Sequence, residues 1–240
     1  VKTPFYRVVS SIALEGESFE GEWRAVEGSR YFQSPVLYKE NGFKKKEDAQ
    51  KLICELSTQQ PLICTVEKIE RKKENKNPPL LFNLAELQNE CSKRFKISPD
   101  ETLSIVQDLY EKKLVTYPRT DARVLSTAVA KEIYKNISGL RNYPQAGEAA
   151  QGALELGAYK NIAKTRYTND KQITDHYAII PTGQGLGALK GLSLTAQRVY
   201  ETIVRRFLSI FYPPAVYQKV SLVTKMENES FFSSFKVLLS

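Results

Sequence analysis

The chain is poor in the residues that build metal centres and disulfide frameworks. Its 240 residues include one histidine, three cysteines, one methionine and one tryptophan. Cys54, Cys64 and Cys91 are an odd number, and no two form a C-x-x-C pair. That argues against a disulfide scaffold and against a zinc ribbon. Each is expected to pack as a small apolar residue in a reducing compartment. A histidine-based metal site has no second histidine to draw on. No stretch approaches the roughly 20 consecutive apolar residues of a membrane span, and no apolar signal-peptide core follows Val1. A phosphate-cradling loop is also missing. Thr182-Gly183-Gln184-Gly185-Leu186-Gly187 spaces glycines like one, but it lacks G-K-[ST] and follows no convincing parallel strand. It reads as a flexible loop.

What the chain has is positive charge and an ordinary apolar content. Lysine and arginine number 35 against 27 aspartates and glutamates, a formal charge of +8, and 42% of residues are hydrophobic. The composition suits a soluble globular protein with one large or two small cores. The charge favours a polyanion partner. The chain starts at Val1, has only Met226, and ends in the strand-like Ser233–Leu239. Both ends are expected to be cuts through a longer polypeptide.

Periodicity orders the chain as β, then α, then β. Tyr6–Ile12 and Glu22–Val26 read as strands around Gly16 and Gly21. Lys46–Leu56 reads as a helix, with Ala49, Leu52, Ile53 and Leu56 at helical spacing. Ile63–Ile69 returns to strand. The charge run Glu70–Asn77, closed by Pro78-Pro79, reads as a solvated linker. Asn83 caps a helix striped by Leu84, Leu87, Cys91 and Phe95. Ser98, Pro99 and Glu101 start a second, striped by Leu103, Val106, Leu109 and Tyr110 and ending at Lys112-Lys113. A strand bearing Tyr117 follows. Helix, turn, helix, strand is the sequence shape of a winged helix-turn-helix. Further helices are expected over Thr127–Ile137 and from about Thr195 to Phe211, ended by Pro213-Pro214. Val216–Leu239 reverts to β. The fold class is therefore α+β: a β-rich domain of residues 1–80 and 213–240, interrupted by a helical domain of residues 81–212. The tail would find partner strands among the first strands.

The chemistry concentrates in Leu114-Val115-Thr116-Tyr117-Pro118-Arg119-Thr120-Asp121. In an extended segment Tyr117, Arg119 and Asp121 share one face, and Pro118 and Thr120 the other. A phenol, a guanidinium and a carboxylate so aligned form a phosphoryl-transfer set: nucleophile, phosphate grip, and an aspartate that orients the arginine. Read as structure alone, the same run is an edge strand with a surface tyrosine and a salt bridge. The lone histidine, His176, lies in Thr174–Thr182. It is either a satisfied structural residue or a phosphate donor and proton carrier.

Taken together, Leu114–Leu125, Thr174–Thr182, Leu87-Gln88, Gln107–Glu111 and Arg205-Arg206-Phe207 before Pro213-Pro214 resemble the type IA DNA topoisomerases, nearest their topoisomerase III branch. Tyr117–Asp121 resembles the family's active-site tyrosine motif, and Asp175–Thr182 its histidine motif. The resemblance spans nearly the whole chain, with the two motifs in the family's order. It implies that Tyr117 attacks a phosphodiester of single-stranded DNA, forming a 5′-phosphotyrosine and freeing a 3′-hydroxyl for ATP-independent strand passage. Tyr117, Arg119 and His176 would be catalytic. Thr120, Asp121 and Asp175 would support them, and Gln107, Arg123 and Arg206 would contact DNA. The implied fold is part of a toroid, with a helical, tyrosine-bearing domain set in a β-rich arch.

Two departures stand out. Nothing here resembles the family's amino-terminal Toprim domain, which carries the Mg2+ ligands and the other wall of the site. This chain is therefore expected to hold no metal and to be inactive alone. Ala122 stands where a serine is frequent. The implied location is the bacterial cytoplasm, at the nucleoid, with a helicase partner left unidentified. A second reading is a non-catalytic winged-helix DNA-binding module. A tyrosine recombinase would want H-x-x-R, but Ile179 occupies that position after His176.

Overall fold

A computed structural model describes residues 3–58 and 60–239. The chain forms two compact units, Val1–Lys76 with Ala215–Ser240, and Asn77–Pro214.

The first unit is built on hairpins. Strands β1 (Val9–Leu14) and β2 (Glu17–Arg24) are joined by Glu15 and Gly16, both at positive φ. That two-residue turn matches the twist of the flanking strands, and glycine meets its second position without strain. A small pair, β3 (Leu37–Lys39) and β4 (Gly42–Phe43), precedes helix α1 (Lys46–Leu56). Strand β5 (Thr65–Lys76) leaves the unit. The chain returns as β6 (Ala215–Met226) and β7 (Glu229–Leu238), turning through Glu227 and Asn228, again at positive φ. The main sheet runs β1-β2-β7-β6-β5, antiparallel throughout. The returning strands thus fill its centre, with β7 on β2 and β6 on β5.

The charge run read as a linker is most of β5. Residues Glu70–Lys76 pair with β6 from Ser221 to Ala215. β5 is an edge strand exposed on both faces. Its backbone is satisfied by β6 while its lysines and glutamates stay hydrated. Such charges also deter pairing with another chain. Glu67 and Glu74 reach Lys225 and Lys236 at 3.3 and 2.7 Å.

The core of this unit gathers on Trp23, which is fully buried. Its ring stacks on Phe43 at 4.9 Å and meets Tyr31 edge-on at 6.1 Å, with Ala49, Leu52 and Leu56 of α1 packed alongside. Glu229 is equally buried and works as an acceptor hub. Its Oε2 accepts from the Trp23 indole N–H at 2.8 Å, and its Oε1 from the Arg30 backbone N–H at 3.0 Å.

The second unit is helical: α2 (Leu84–Phe95), α3 (Pro99–Glu111), α4 (Thr127–Glu132), α5 (Tyr134–Gly139), α6 (Gly147–Leu156) and α7 (Leu194–Ser209). The expected caps form: Asn83 Oδ1 accepts from Glu86 N–H at 2.8 Å, and Ser98 Oγ from Glu101 N–H at 3.1 Å. Lys96 at positive φ turns α2 into α3. Their inner faces bury Leu87, Cys91, Val106 and Leu109 with Val199, Ile203 and Phe207 of α7. Burial pushes the Cys91 thiol up to about 11, which makes it an inert packing group. Cys54, by contrast, is exposed. The single helix expected over Thr127–Ile137 is divided at Ile133 into α4 and α5.

Gly183, the first glycine of the glycine-spaced run, is packed rather than loose. Gly183 has φ +79°, and a Cβ there would lie 2.7 Å from the Asn136 carbonyl. The glycine lets two backbones touch; it does not cradle a phosphate.

Trp23 is the chain's only tryptophan, so its fluorescence reports on the first unit alone. Glu229→Ala strands the buried Trp23 indole N–H and removes an acceptor from the part-buried Arg30 N–H. It should cost about 2–4 kcal/mol in urea unfolding followed at Trp23. Glu229→Gln, which keeps an acceptor, should cost less.

Candidate active site

The segment Leu114–Leu125 leaves α3 in an irregular conformation, not the expected strand. Among the described residues of the helical unit only isolated bridges form, Val115 with Pro181 among them. No hairpin wing follows the helix-turn-helix there. The reason lies in its partner, Asp175–Thr182, which is equally irregular. Threonine hydroxyls substitute for a regular ladder between the two. Thr116 Oγ1 donates to the Ala178 carbonyl and accepts from Ile180 N–H, both at 3.0 Å. Thr120 Oγ1 donates to the His176 carbonyl at 2.8 Å and accepts from Ala122 N–H at 3.1 Å. Backbone bonds complete the seam: Thr116 N–H to Ile180 O, Thr182 N–H to Leu114 O, and Ala178 N–H to Val124 O, each 3.0 Å.

The other side of the segment is held by the start of the unit. Leu84 N–H donates to Thr120 O at 3.1 Å, Leu81 N–H to Arg123 O at 3.2 Å, and Asn83 Nδ2 to Asp121 O at 3.1 Å. The two motifs, more than fifty residues apart in sequence, are thereby fixed to one frame.

The alternation survives without the strand. Pro118, Thr120, Ala122 and Val124 are buried, while Arg119 and Asp121 are exposed and Tyr117 is half-buried. Thr120 N–H donates to Pro118 O at 3.1 Å, which closes a γ-turn centred on Arg119. The guanidinium therefore projects from a turn apex. The expected Asp121–Arg119 pair does not form; among the described residues no ion pair joins them. The γ-turn interrupts the flat two-residue repeat that such a pair needs. Asp121 contributes through its carbonyl instead.

Tyr117 sits in a row of rings. Its centroid is 4.3 Å from His176, tilted by 41°, and 5.5 Å from Tyr110, edge-on at 82°. His176 is exposed at the end of the row, and its carbonyl is the one Thr120 holds. Tyr110 corrects its expected place in the apolar stripe of α3. It is 39% exposed and flanks the Tyr117 phenol. Its signal in the sequence was the offset of seven from Tyr117, hidden by the turn between them.

The remaining residues divide. Gln107 lies half-buried on α3, one turn before Tyr110, with its amide 3.5 Å from Glu111 Oε1. Asp175 is exposed beside His176. Arg123 and Arg206 are committed to the scaffold. Arg123 Nε donates to Leu81 O at 3.2 Å and pairs with Glu86 at 3.5 Å. Arg206 donates to Leu80 O at 2.9 Å and stacks over Phe82 at 4.0 Å, and its burial holds its pKa below the usual range. They anchor residues 80–82, which in turn brace the tyrosine segment: Ile179 N–H donates to Phe82 O at 2.8 Å.

The half-buried Tyr117 phenol thus lies against the His176 ring, and Arg119, Asp121 and Asp175 of the same two segments are exposed. The chain is similar to known proteins. A family model described as DNA topoisomerase matches residues 1–240. DNA topoisomerase 3 of Bacillus subtilis is 30% identical over 246 residues, which cover all of this chain and 33% of that protein. DNA topoisomerase 3 of Bacillus licheniformis is 39% identical over 163 residues, 68% of this chain and 22% of that protein. Full-length topoisomerase I from Thermotoga maritima shares the fold, with a TM-score of 0.61 at 20% identity over 98% of this chain and 34% of its own. The chain belongs to the type IA DNA topoisomerase family. It spans a third or less of the curated relatives it matches.

Thr120→Val removes the hydroxyl that ties His176 to the tyrosine segment. It should destabilise the helical unit by about 1–3 kcal/mol, read by thermal unfolding. Amide exchange should rise at Ala122. Thr120→Ser, which keeps the hydroxyl, should recover most of the loss.

Proposed function

We propose that this chain is the tyrosine-bearing part of an enzyme that cuts and rejoins single-stranded DNA through a phosphotyrosine. The observation that carries this is the Tyr117–His176 ring pair beside Arg119, set by the threonine seam between two irregular segments.

A free phenol has a pKa of about 10 and is a weak nucleophile at neutral pH. Arg119, on its apex, lies two residues from the phenol and exposes its guanidinium to a bound phosphate. A cation there offsets charge that builds on the phosphoryl oxygens. In the forward step the Tyr117 oxygen bonds to phosphorus and the bond from phosphorus to the 3′-oxygen breaks. The phenol gives up its proton and the departing 3′-oxygen gains one. His176, solvent-open beside the ring, donates to a non-bridging phosphate oxygen. The phosphodiester energy stays in the phosphotyrosine, so resealing is the same step reversed and needs no ATP. Asp121 and Asp175 shape the field around Arg119 and His176. Gln107 contacts the strand from α3. Tyr110 limits the rotation of the Tyr117 ring, so that the phenol faces the strand.

Magnesium is the cofactor expected of the whole enzyme. Among the described residues no three His, Cys, Asp or Glu side chains converge, and no step above is routed through a metal. In this reading magnesium and the opposing wall belong to residues outside the chain, and the chain alone does not cleave. The β-rich unit serves as part of the arch. The enzyme works at the nucleoid in the cytoplasm. Among the described residues no helix is long and apolar enough to cross a membrane. The non-catalytic alternative has lost its wing, since the helical unit forms no hairpin among the described residues.

In the polypeptide that carries this chain, Tyr117→Phe should abolish covalent adducts with labelled single-stranded DNA while leaving the fold intact. Persistent adducts would remove Tyr117 as nucleophile. Arg119→Ala should lower the cleavage rate at least tenfold more than it lowers DNA affinity. Equal losses would make it a binding residue only. Tyr110→Ala should slow adduct formation several-fold at unchanged DNA affinity, with Tyr110→Phe close to wild type.

A further inference from the structure

The helical unit holds a second site, away from the tyrosine motif in sequence. The turn after α5 (Asn142, Tyr143, Pro144, Gln145), the 3-10 turn Leu186–Gly191 and Gln197 of α7 enclose a pocket of about 340 Å3. That lies within the roughly 300–1,000 Å3 of small-ligand sites. Its walls are of two kinds. Pro144, Leu186 and Leu189 are apolar. Asn142, Gln145 and Gln197 bring three carboxamides, and Lys190 brings a cation at an exposed position. The Gln197 amide already donates to Leu192 O at 3.0 Å, which leaves its carbonyl oxygen free to accept. Tyr143 is only 4% exposed. Burial raises its hydroxyl to about 12, so it stays a neutral donor.

These groups fit one ligand class. Carboxamides are the neutral side chains that present a donor and an acceptor side by side, as the edges of nucleobases do. Apolar walls suit the faces of a base ring, and one exposed lysine suits the phosphate beside it. No acidic residue lines the pocket. We propose that the pocket takes a nucleobase of single-stranded DNA, unstacked from its strand, with Lys190 on the adjoining phosphate. This rests on the reading that the chain handles single-stranded DNA, and adds a base-holding subsite to it.

Gly187 supplies a clean test. It lines the pocket, has an ordinary φ, and a Cβ added there meets nothing within 4 Å. Gly187→Leu should therefore fill the pocket without disturbing the backbone. Binding of a mixed-sequence deoxyribonucleotide 10-mer and of its abasic counterpart would be measured by fluorescence anisotropy on the 240-residue chain. The unaltered chain should bind the 10-mer more tightly. Gly187→Leu should weaken the 10-mer about 5- to 100-fold, in line with base stacking of about 1–3 kcal/mol, and leave the abasic strand unchanged. Gln145→Ala should act in the same direction. Lys190→Ala should weaken both strands and lower the salt slope by about 0.7.

Equal loss on both strands, no loss on either, or no binding of the 10-mer by the unaltered chain would overturn the proposal. So would binding of free deoxynucleoside monophosphates with the 10-mer indifferent to Gly187→Leu, which would assign the pocket to a free nucleotide. Loss of adducts in Tyr117→Phe is a separate readout. The pocket can therefore fail while the nucleophile stands, and the reverse.

Discussion

Two threonine hydroxyls carry the architecture of the site. Thr116 and Thr120 each bridge the tyrosine segment to the histidine segment, donating across the seam, and each also accepts a backbone N–H. Neither segment is regular enough to zip to the other as a strand. Without the hydroxyls, the part-buried carbonyls at Ala178 and His176 would lose these donors, at a cost of about 1 kcal/mol each. With them, His176 is held where its ring meets Tyr117. An irregular seam has a further use. It allows a γ-turn at Arg119, so the guanidinium stands clear while its neighbours Pro118 and Thr120 are buried.

The scaffold behind that seam engages two half-buried arginines. Arg206 and Arg123 spend their donors on the carbonyls of Leu80 and Leu81, and Arg206 lies flat on Phe82. Planar stacking with directional donation is what guanidinium does and ammonium does not. Residues 80–84 in turn donate to or accept from both motif segments. The surface chemistry thus rests on a buried polar lattice, and each of its parts is satisfied by another. The first unit follows the same economy, with Glu229 as the acceptor shared by Trp23 and Arg30.

Much of this was legible in the sequence. The caps at Asn83 and Ser98, the stripes of α2, α3 and α7, and the β-α-β order came from spacing and end signals. The two motifs pair Tyr117 with His176 in sequence, and the structure brings their rings together. What was not legible depended on partners distant in sequence. The Glu70–Lys76 run is polar on both faces, so no periodicity marks it; only β6 makes it a strand. The tyrosine segment has the composition of a strand, but its partner offers hydroxyl-mediated bonds. Tyr110 reads as part of an apolar stripe because helical spacing cannot show where α3 ends against Tyr117. The arginines look alike in sequence, and only the structure shows that Arg123 and Arg206 donate to the carbonyls of Leu81 and Leu80 while Arg119 is exposed.

The central claim is that Tyr117, and not the phenol beside it, becomes covalently attached to DNA. Trypsin separates the two, because Lys112 and Lys113 lie between Tyr110 and Tyr117. Single-stranded DNA would be trapped on the polypeptide that carries this chain, digested with nuclease and trypsin, and the peptides sequenced by mass spectrometry. The account predicts a nucleotide linked through its 5′-phosphate to Tyr117 in the peptide Leu114–Arg119. A nucleotide on Tyr110, on His176, or on no residue of this chain would contradict it.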